Sequence, residues 1–239
     1  FEDAASPDNT PTMALLNVSS AIGLWLVFTS APLIFLLPRS SKGYVWILQL
    51  IVFNNLNLFI AFCEIALGAH IQTIKKDYMA LREQYKGKEF EACVSFLTMP
   101  LSISQCFQGT KWSRMWSTYS LYDPSYQNHE SFGFFVDVGN GYSTIVPGLL
   151  MNAAIVFPHR VSYLLVGCVG IASYWQIMYG TIIYLLSFWF NERQKGRNAL
   201  EIYSFVYMTN AFWVWGPSIG IYYCVIILRD SNLSVFESI

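Results

Sequence analysis

Charged side chains are scarce in this sequence, making up 12% of its 239 residues, about half the share of a soluble domain. The charges also nearly cancel, with 14 basic and 15 acidic residues leaving a net charge of −1. No basic surface is available for a polyanion, so nucleic acid is not an expected partner. Cysteine is sparse and unpatterned. Cys63, Cys93, Cys106, Cys168 and Cys224 contain no CxxC and are odd in number, which argues against a disulfide framework and against a zinc knuckle. Cys93 and Cys106 share one loop and could pair in an oxidising compartment, the minor reading of the two. Neither G-x-S-x-G nor G-x-x-x-x-G-K-[ST] occurs, which sets aside the common hydrolases and P-loop enzymes. A transporter or channel is disfavoured because there is no inverted repeat, filter-like loop or charged path. No metal site and no cofactor are expected.

What the chain has in abundance is apolar and aromatic surface. Hydrophobic residues make up 54% of it and aromatic residues 17%, with 18 Phe, 15 Tyr and 8 Trp. Its mean hydropathy is +0.40. A water-exposed domain could not cover that much apolar surface with so few polar groups, so the expectation is an integral membrane protein.

About 20 mostly apolar residues are needed for a helix to cross the hydrocarbon core. Five stretches qualify, at 14–38, 44–71, 132–157, 161–190 and 202–228. No ten-residue alternation recurs, so the expected fold class is an all-α bundle of five transmembrane helices rather than a barrel. Residues 1–13 read as a polar tail and 229–239 as a C-terminal tail. The chain opens on Phe1, which fits either a removed leader or a shortened start. Short links make spans one and two, and three and four, antiparallel hairpins. The connector 72–131 is longer and carries seven basic and six acidic residues, and its first part, from Ile74 to Glu83, reads as an outward extension of the second helix. Most Lys and Arg fall on one side if the amino terminus is inside. The glycosylation patterns at Asn17 and Asn232 lie too near the bilayer to be good acceptors.

Polar groups within the spans carry the functional signal. A carboxylate at mid-membrane costs about 2.5–3.5 kcal/mol on insertion scales, so it normally faces a bundle interior. Glu64 is such a group, with Asn57 seven residues earlier on the same helix face. Asp137 lies near the start of span three, with Asn140 one turn on. Span five carries Tyr203, Tyr207, Asn210 and Trp213 at helical spacing, and span four contributes Tyr174, Gln176, Tyr179, Thr181 and Tyr184. Taken singly, each is best read as interhelical glue. Converging from four helices, they read equally well as the lining of a polar cavity.

Four segments then resemble one family. Trp116-Ser-Thr-Tyr119 followed by Asp123-Pro-Ser-Tyr126, Val146-Pro-Gly148, the run from Gln176 to Leu185, and Asn210-Ala-Phe-Trp213-Val-Trp-Gly-Pro217 stand in the order and spacing of the emopamil-binding protein and EXPERA family. Its best-known member is the sterol 8-to-7 isomerase. The resemblance covers about 44–228. It implies an EXPERA-like four-helix membrane domain following one extra helix, an endoplasmic reticulum location, and a site for a sterol or other membrane lipid. A plastid or mitochondrial membrane is implied instead if a leader was removed.

By resemblance, Glu64 and Asp137 are the candidate catalytic carboxylates of a steroid double-bond isomerase. The candidate ligand-binding residues are Asn57, Glu64, Asn140, Gln176, Tyr179, Tyr207, Asn210 and Trp213. Asp137 falls one position from the family's third-span glutamate. The sequence departs from the family elsewhere too. Ile60 stands where the isomerases have a His, Thr181 replaces an acidic residue, and about 72–105 is an insertion. A proton-transfer set without one partner is a poor catalyst, so a lipid-binding, catalytically degenerate relative is expected. Two alternatives stand beside it: a structural subunit of a large respiratory or photosynthetic membrane complex, with or without pigments, and an active isomerase. A homodimer and a larger membrane complex are both open as assemblies.

Overall fold

The computed structural model describes residues 16–39, 41 and 43–237, so the expected tail at 1–13 lies outside the described residues. Among those residues, four helices are long and apolar enough to cross a membrane: Val18–Leu36, Tyr44–Ala69, Tyr163–Phe190 and Ala199–Asp230. The protein is an all-α membrane bundle, and its long apolar helices satisfy their own backbone groups as lipid requires.

Helix α1 (Val18–Leu36) begins at Asn17, whose side chain accepts from the Ser20 amide while the Ser20 hydroxyl returns to the Asn17 backbone. That reciprocal cap satisfies donors otherwise orphaned at a helix start. Little of α1 is covered by protein, and Leu24, Val27, Phe28 and Phe35 point outward. By contrast α2 (Tyr44–Ala69) is the central helix, about two-thirds buried along its apolar window. It nevertheless holds Asn54, Asn55, Asn57 and Glu64 inside the bundle.

The third expected span is not one helix. It runs as α6 (Phe132–Ser143) and α7 (Ile145–Val156), separated at Thr144. Pro147 supplies the cause, because it has no amide to give the carbonyl four residues back and its ring crowds that carbonyl. Beyond it lie α8 (Tyr163–Phe190), capped by the Ser162 side chain, and the short α9 (Ala199–Ile202), capped by Asn198. A π-helical stretch, Tyr203–Met208, then leads into α10 (Thr209–Asp230). Helices α8 and α10 approach closely through small residues, as membrane helices do. A side chain at Gly220 would collide with the Tyr174 ring, and one at Gly170 with the Cys224 sulfur.

The long connector is folded rather than loose. The chain breaks at His70 and continues as α3 (Ile71–Gln84), α4 (Glu89–Leu97) and α5 (Gly109–Tyr119). Together these form a cap over one end of the bundle. Strand β1 (Leu16–Asn17) pairs antiparallel with β2 (Pro100–Leu101), tying the cap to the start of α1. The Trp116 indole donates to the Cys63 carbonyl at 2.6 Å and fastens α5 to α2. All five cysteines are free. Cys93 is not paired with Cys106; its sulfur instead lies 3.9 Å from the Tyr122 hydroxyl.

Among the described residues two large buried clusters make most of the core, and a smaller one of Tyr78, Leu81, Ala92 and Leu121 lies in the cap. Of the two large clusters one, on the cap side, centres on Phe59, Leu67, Trp112, Tyr122 and Phe188. The other, toward the opposite end, centres on Ile47, Leu50, Met151, Tyr223 and Phe236. Next to the second cluster runs a closed polar chain. Tyr174 donates to Asn54, Asn54 to Asn152, Asn152 to Asn55, and Asn55 to Ser30. Every link is buried and satisfied, so this chain joins four helices without leaving a costly unpaired amide.

Candidate functional site

A cavity of about 470 Å³ opens in the cap-side half of the bundle, within the size range of small-molecule sites. Helix α2 contributes Leu56, Ile60 and Glu64, and α6 contributes Asp137 and Asn140. The start of α10 presents Asn210 and Trp213, while α5 and the turn after it supply Trp116, Tyr119, Tyr122 and Tyr126. Two carboxylates and a wall of aromatic rings therefore share one chamber. No Lys, Arg or His is among the residues lining it.

Glu64 reaches this position because α6 comes unusually close. Gly141 lies against the Glu64 Cβ and the Ala61 carbonyl, and an added Cβ there would sit 2.8 Å and 3.0 Å from those atoms. The absent side chain lets α6 pack flush on α2 and brings Asp137 to the same wall. The Tyr126 phenol faces Asp137, and Tyr126 is itself stacked on Trp116 with ring centroids 5.2 Å apart.

Polar support surrounds the aromatic wall. The Trp213 indole donates to Asn57 Oδ1 at 3.1 Å, and Asn57 Nδ2 donates to Thr144 Oγ1 at 3.2 Å. Asn210 Nδ2 donates to the Val206 carbonyl at 2.8 Å and to the Tyr119 hydroxyl at 3.3 Å. Tyr119 and Tyr184 share a hydrogen bond of 3.0 Å. In the π stretch the usual ladder is altered, and the Thr209 and Asn210 side chains bond the Phe205 and Val206 carbonyls. π-helical turns often mark functional sites.

Burial at the cap end of the chamber acts on its acidic groups. Burial pushes the Tyr119, Tyr122 and Tyr126 phenols up from their ordinary range. It likewise raises the Cys93 thiol to about 11, with the Tyr122 bond opposing and the Glu201 carboxylate adding to the rise. Desolvation disfavours the charged form of each.

Of the sequence-predicted residues, Glu64, Asp137, Asn140, Asn210 and Trp213 meet at the cavity. The other four lie elsewhere. Asn57 is one layer behind, holding Trp213. Gln176 stands outside the chamber and donates to Asn140 at 2.8 Å and Ser143 at 2.7 Å. Tyr179 is 51% exposed on the outer face of α8, stacked on Trp175. Tyr207 packs edge-on against Phe188, because the π stretch shifts the register and removes it from the Asn210–Trp213 stripe. The cap residues Cys93, Phe96, Trp116, Tyr119 and Tyr122 were not singled out as site residues. Trp116 and Tyr119 carried a signal only through their place in the Trp116–Tyr119 motif, and Cys93, Phe96 and Tyr122 carried none.

Among the described residues, no group of three or more His, Cys, Asp or Glu is placed to hold a metal ion. No protein-family model matches the chain, and no curated protein or solved structure matches it either.

Proposed function

We propose that this is a sterol-isomerase-like membrane protein of the EXPERA type, which binds a flat polycyclic or isoprenoid lipid and has lost efficient double-bond isomerisation. In this reading α6 and α7 together form the third of five crossings. One observation carries it: carboxylates from α2 and α6 and an indole from α10 converge on a single aromatic chamber within the helix bundle. An intramembrane carboxylate facing a cavity is a functional feature by default.

The chemistry of the wall supports a ligand with an apolar body and a positive or developing positive centre. Glu64 and Asp137 supply negative charge, Trp213 supplies a π face, and no lining cation competes. Loss of turnover follows from two wall positions. Ile60 and Thr181 both line the chamber, and neither moves a proton at the positions where the isomerases carry His and an acid. Glu64, Asp137 and the Tyr126 phenol remain, enough to stabilise a cation and insufficient for paired protonation and deprotonation.

The test is binding of a radiolabelled cationic amphiphile to the purified protein, alongside the sterol profile of cells lacking the 8-to-7 isomerase that express this chain. Saturable amine binding lost in Glu64→Gln and Trp213→Ala, with no restored sterol, is the expected result. Binding indifferent to both changes would remove the lipid-site reading, and restored sterol would make the protein an active isomerase. The folded cap favours a second reading, because the exposed side of α3 offers docking surface that a lone lipid-binding protein does not need. Co-migration with a megadalton assembly on native electrophoresis would support a structural subunit, whereas migration as a monomer or dimer would oppose it.

A further inference from the structure

The cap contains an uncharged stretch that is out of keeping with a water-exposed connector. From Ala92 to Thr110 there is no Asp, Glu, Lys or Arg, although charged residues flank it at Glu89, Glu91 and Lys111. Helix α4 buries Ala92, Cys93 and Phe96 on its inner side. Its outer side carries Phe90, Val94 and Leu97, spaced four and three residues apart on one stripe, and all three are exposed. Beyond β2 the stripe continues through Ile103 and Phe107, which are 59% and 76% exposed.

The depth of this face is set by its attachment. The Val18 amide donates to the Met99 carbonyl at 3.2 Å, the Ser19 hydroxyl donates to the Leu97 carbonyl at 3.0 Å, and Asn17 is paired with Pro100. Residues 97–101 therefore sit beside the first turn of α1, the start of a helix long and apolar enough to cross a membrane. The exposed apolar surface of α1, including Leu24, Val27 and Phe28, begins immediately beyond. The outer face of α4 thus adjoins the exposed apolar surface of α1.

We infer that the segment Phe90–Phe107 is an interfacial element laid into the headgroup–acyl boundary, with Phe90, Val94, Leu97, Ile103 and Phe107 covered by lipid. Glu89 and Glu91, in the first turn of α4, mark its water-facing end. Leu97 both lines the cavity and is exposed, so α4 forms the sill between membrane lipid and the chamber. This inference stands whether or not the chamber binds a sterol.

The experiment uses the unmodified protein in phosphatidylcholine nanodiscs that contain a phospholipid with a photoactivated carbene on its acyl chain. Trypsin releases Glu89–Lys111 as one peptide, since no Lys or Arg lies between Lys88 and Lys111. Carbene adducts on Val94, Ile103 or Phe107, with none on the α3 peptide carrying Met79, are expected. Absence of adducts on those three overturns the proposal, and adducts confined to Cys93 and Phe96 do so too, because they report lipid inside the chamber only. Nitroxides in V94C and F107C on a C106S/C168S background give a second readout. Oxygen accessibility several-fold above that of M79C, with nickel chelate excluded, is expected. Equal nickel access would show water cover, and exclusion of both relaxers would show a protein partner; either result overturns the proposal.

Discussion

The indole of Trp213 is fixed by Asn57, whose side-chain carbonyl accepts its N–H at 3.1 Å while the amide nitrogen donates to Thr144 at 3.2 Å. Asn57 does not line the chamber, yet it joins three elements: α2, the break between α6 and α7, and α10. The break exposes the Thr144 hydroxyl to Asn57, and that hydroxyl in turn donates to the Asn140 carbonyl at 2.8 Å. A proline-induced irregularity in one span thereby determines how an aromatic ring is presented by another.

Replacing Asn57 with Leu should consequently weaken ligand binding without touching the ligand. The Trp213 N–H and the Thr144 hydroxyl would each lose a buried partner, at a cost of about 1–3 kcal/mol. The expected outcome is a lower unfolding temperature in detergent together with reduced amine affinity. Asn57→Gln, which keeps both groups, should recover part of each. Unchanged affinity in Asn57→Leu would show that Trp213 holds its position without this bond.

Cys93 offers a chemical reporter on the cap. Burial holds its thiol up at about 11, so at neutral pH it is protonated and unreactive, whereas Cys106 in the same cap is only partly buried. Maleimide should modify Cys106 before Cys93. Because the thiolate is the nucleophile, Cys93 labelling should rise about tenfold per pH unit until the pH approaches 11. A chamber occupant should slow it further, since Cys93 is part of the lining. Mass spectrometry of the modified peptides reads both effects, and fast neutral-pH labelling of Cys93 would mean that the cap opens readily.

Four of the five expected spans were legible because lipid imposes a simple rule: about 20 apolar residues with their own backbone bonded. Glu64, Asp137, Asn140, Asn210 and Trp213 were legible for the complementary reason, being polar or amphipathic groups where exposure to lipid is costly. Tyr207 was misplaced because a spacing of 3.6 residues per turn was applied across Tyr203–Met208, where the helix is π. Tyr179 was misplaced because a tyrosine serves equally well at a lipid-facing surface, and period alone does not choose the face. The cap residues were hidden for a different reason. Their position over the chamber depends on the β1–β2 pairing and on the Trp116 bond to Cys63, contacts between segments far apart in sequence.

Gly220 tests how tightly α8 and α10 are joined. An added Cβ would enter the Tyr174 ring, and Tyr174 is also the donor to Asn54 at 2.8 Å. Gly220→Ala should therefore disturb both the helix contact and the end of the asparagine chain, with an overpacking cost of about 1–3 kcal/mol. Gly139→Ala is the control, since no atom lies within 4 Å of an added Cβ there. Thermal unfolding in one detergent should separate the two variants, and equal stability would show that α8 and α10 part easily.

The cap is also held down by an ion pair between distant connectors. Asp123 follows α5, and its side chain is fully buried; Arg193 follows α8 and reaches it at 3.1 Å. Asp123 also accepts the Ser125 amide at 3.0 Å, and Arg197 bonds the Leu121 carbonyl beside it. Tyr122, between these anchors, donates to Glu201 at 2.8 Å. Arg193→Met would leave the Asp123 carboxylate buried without its counter-charge, a loss of about 3–5 kcal/mol for such pairs. Asp123→Asn with Arg193→Met should be milder than Arg193→Met alone, because no buried charge remains unpaired. The same cycle read through Cys93 labelling should show faster modification in Arg193→Met, as the turn bearing Tyr122 lifts from the chamber. If stability falls while Cys93 stays protected, the pair holds the connectors together without governing the cap.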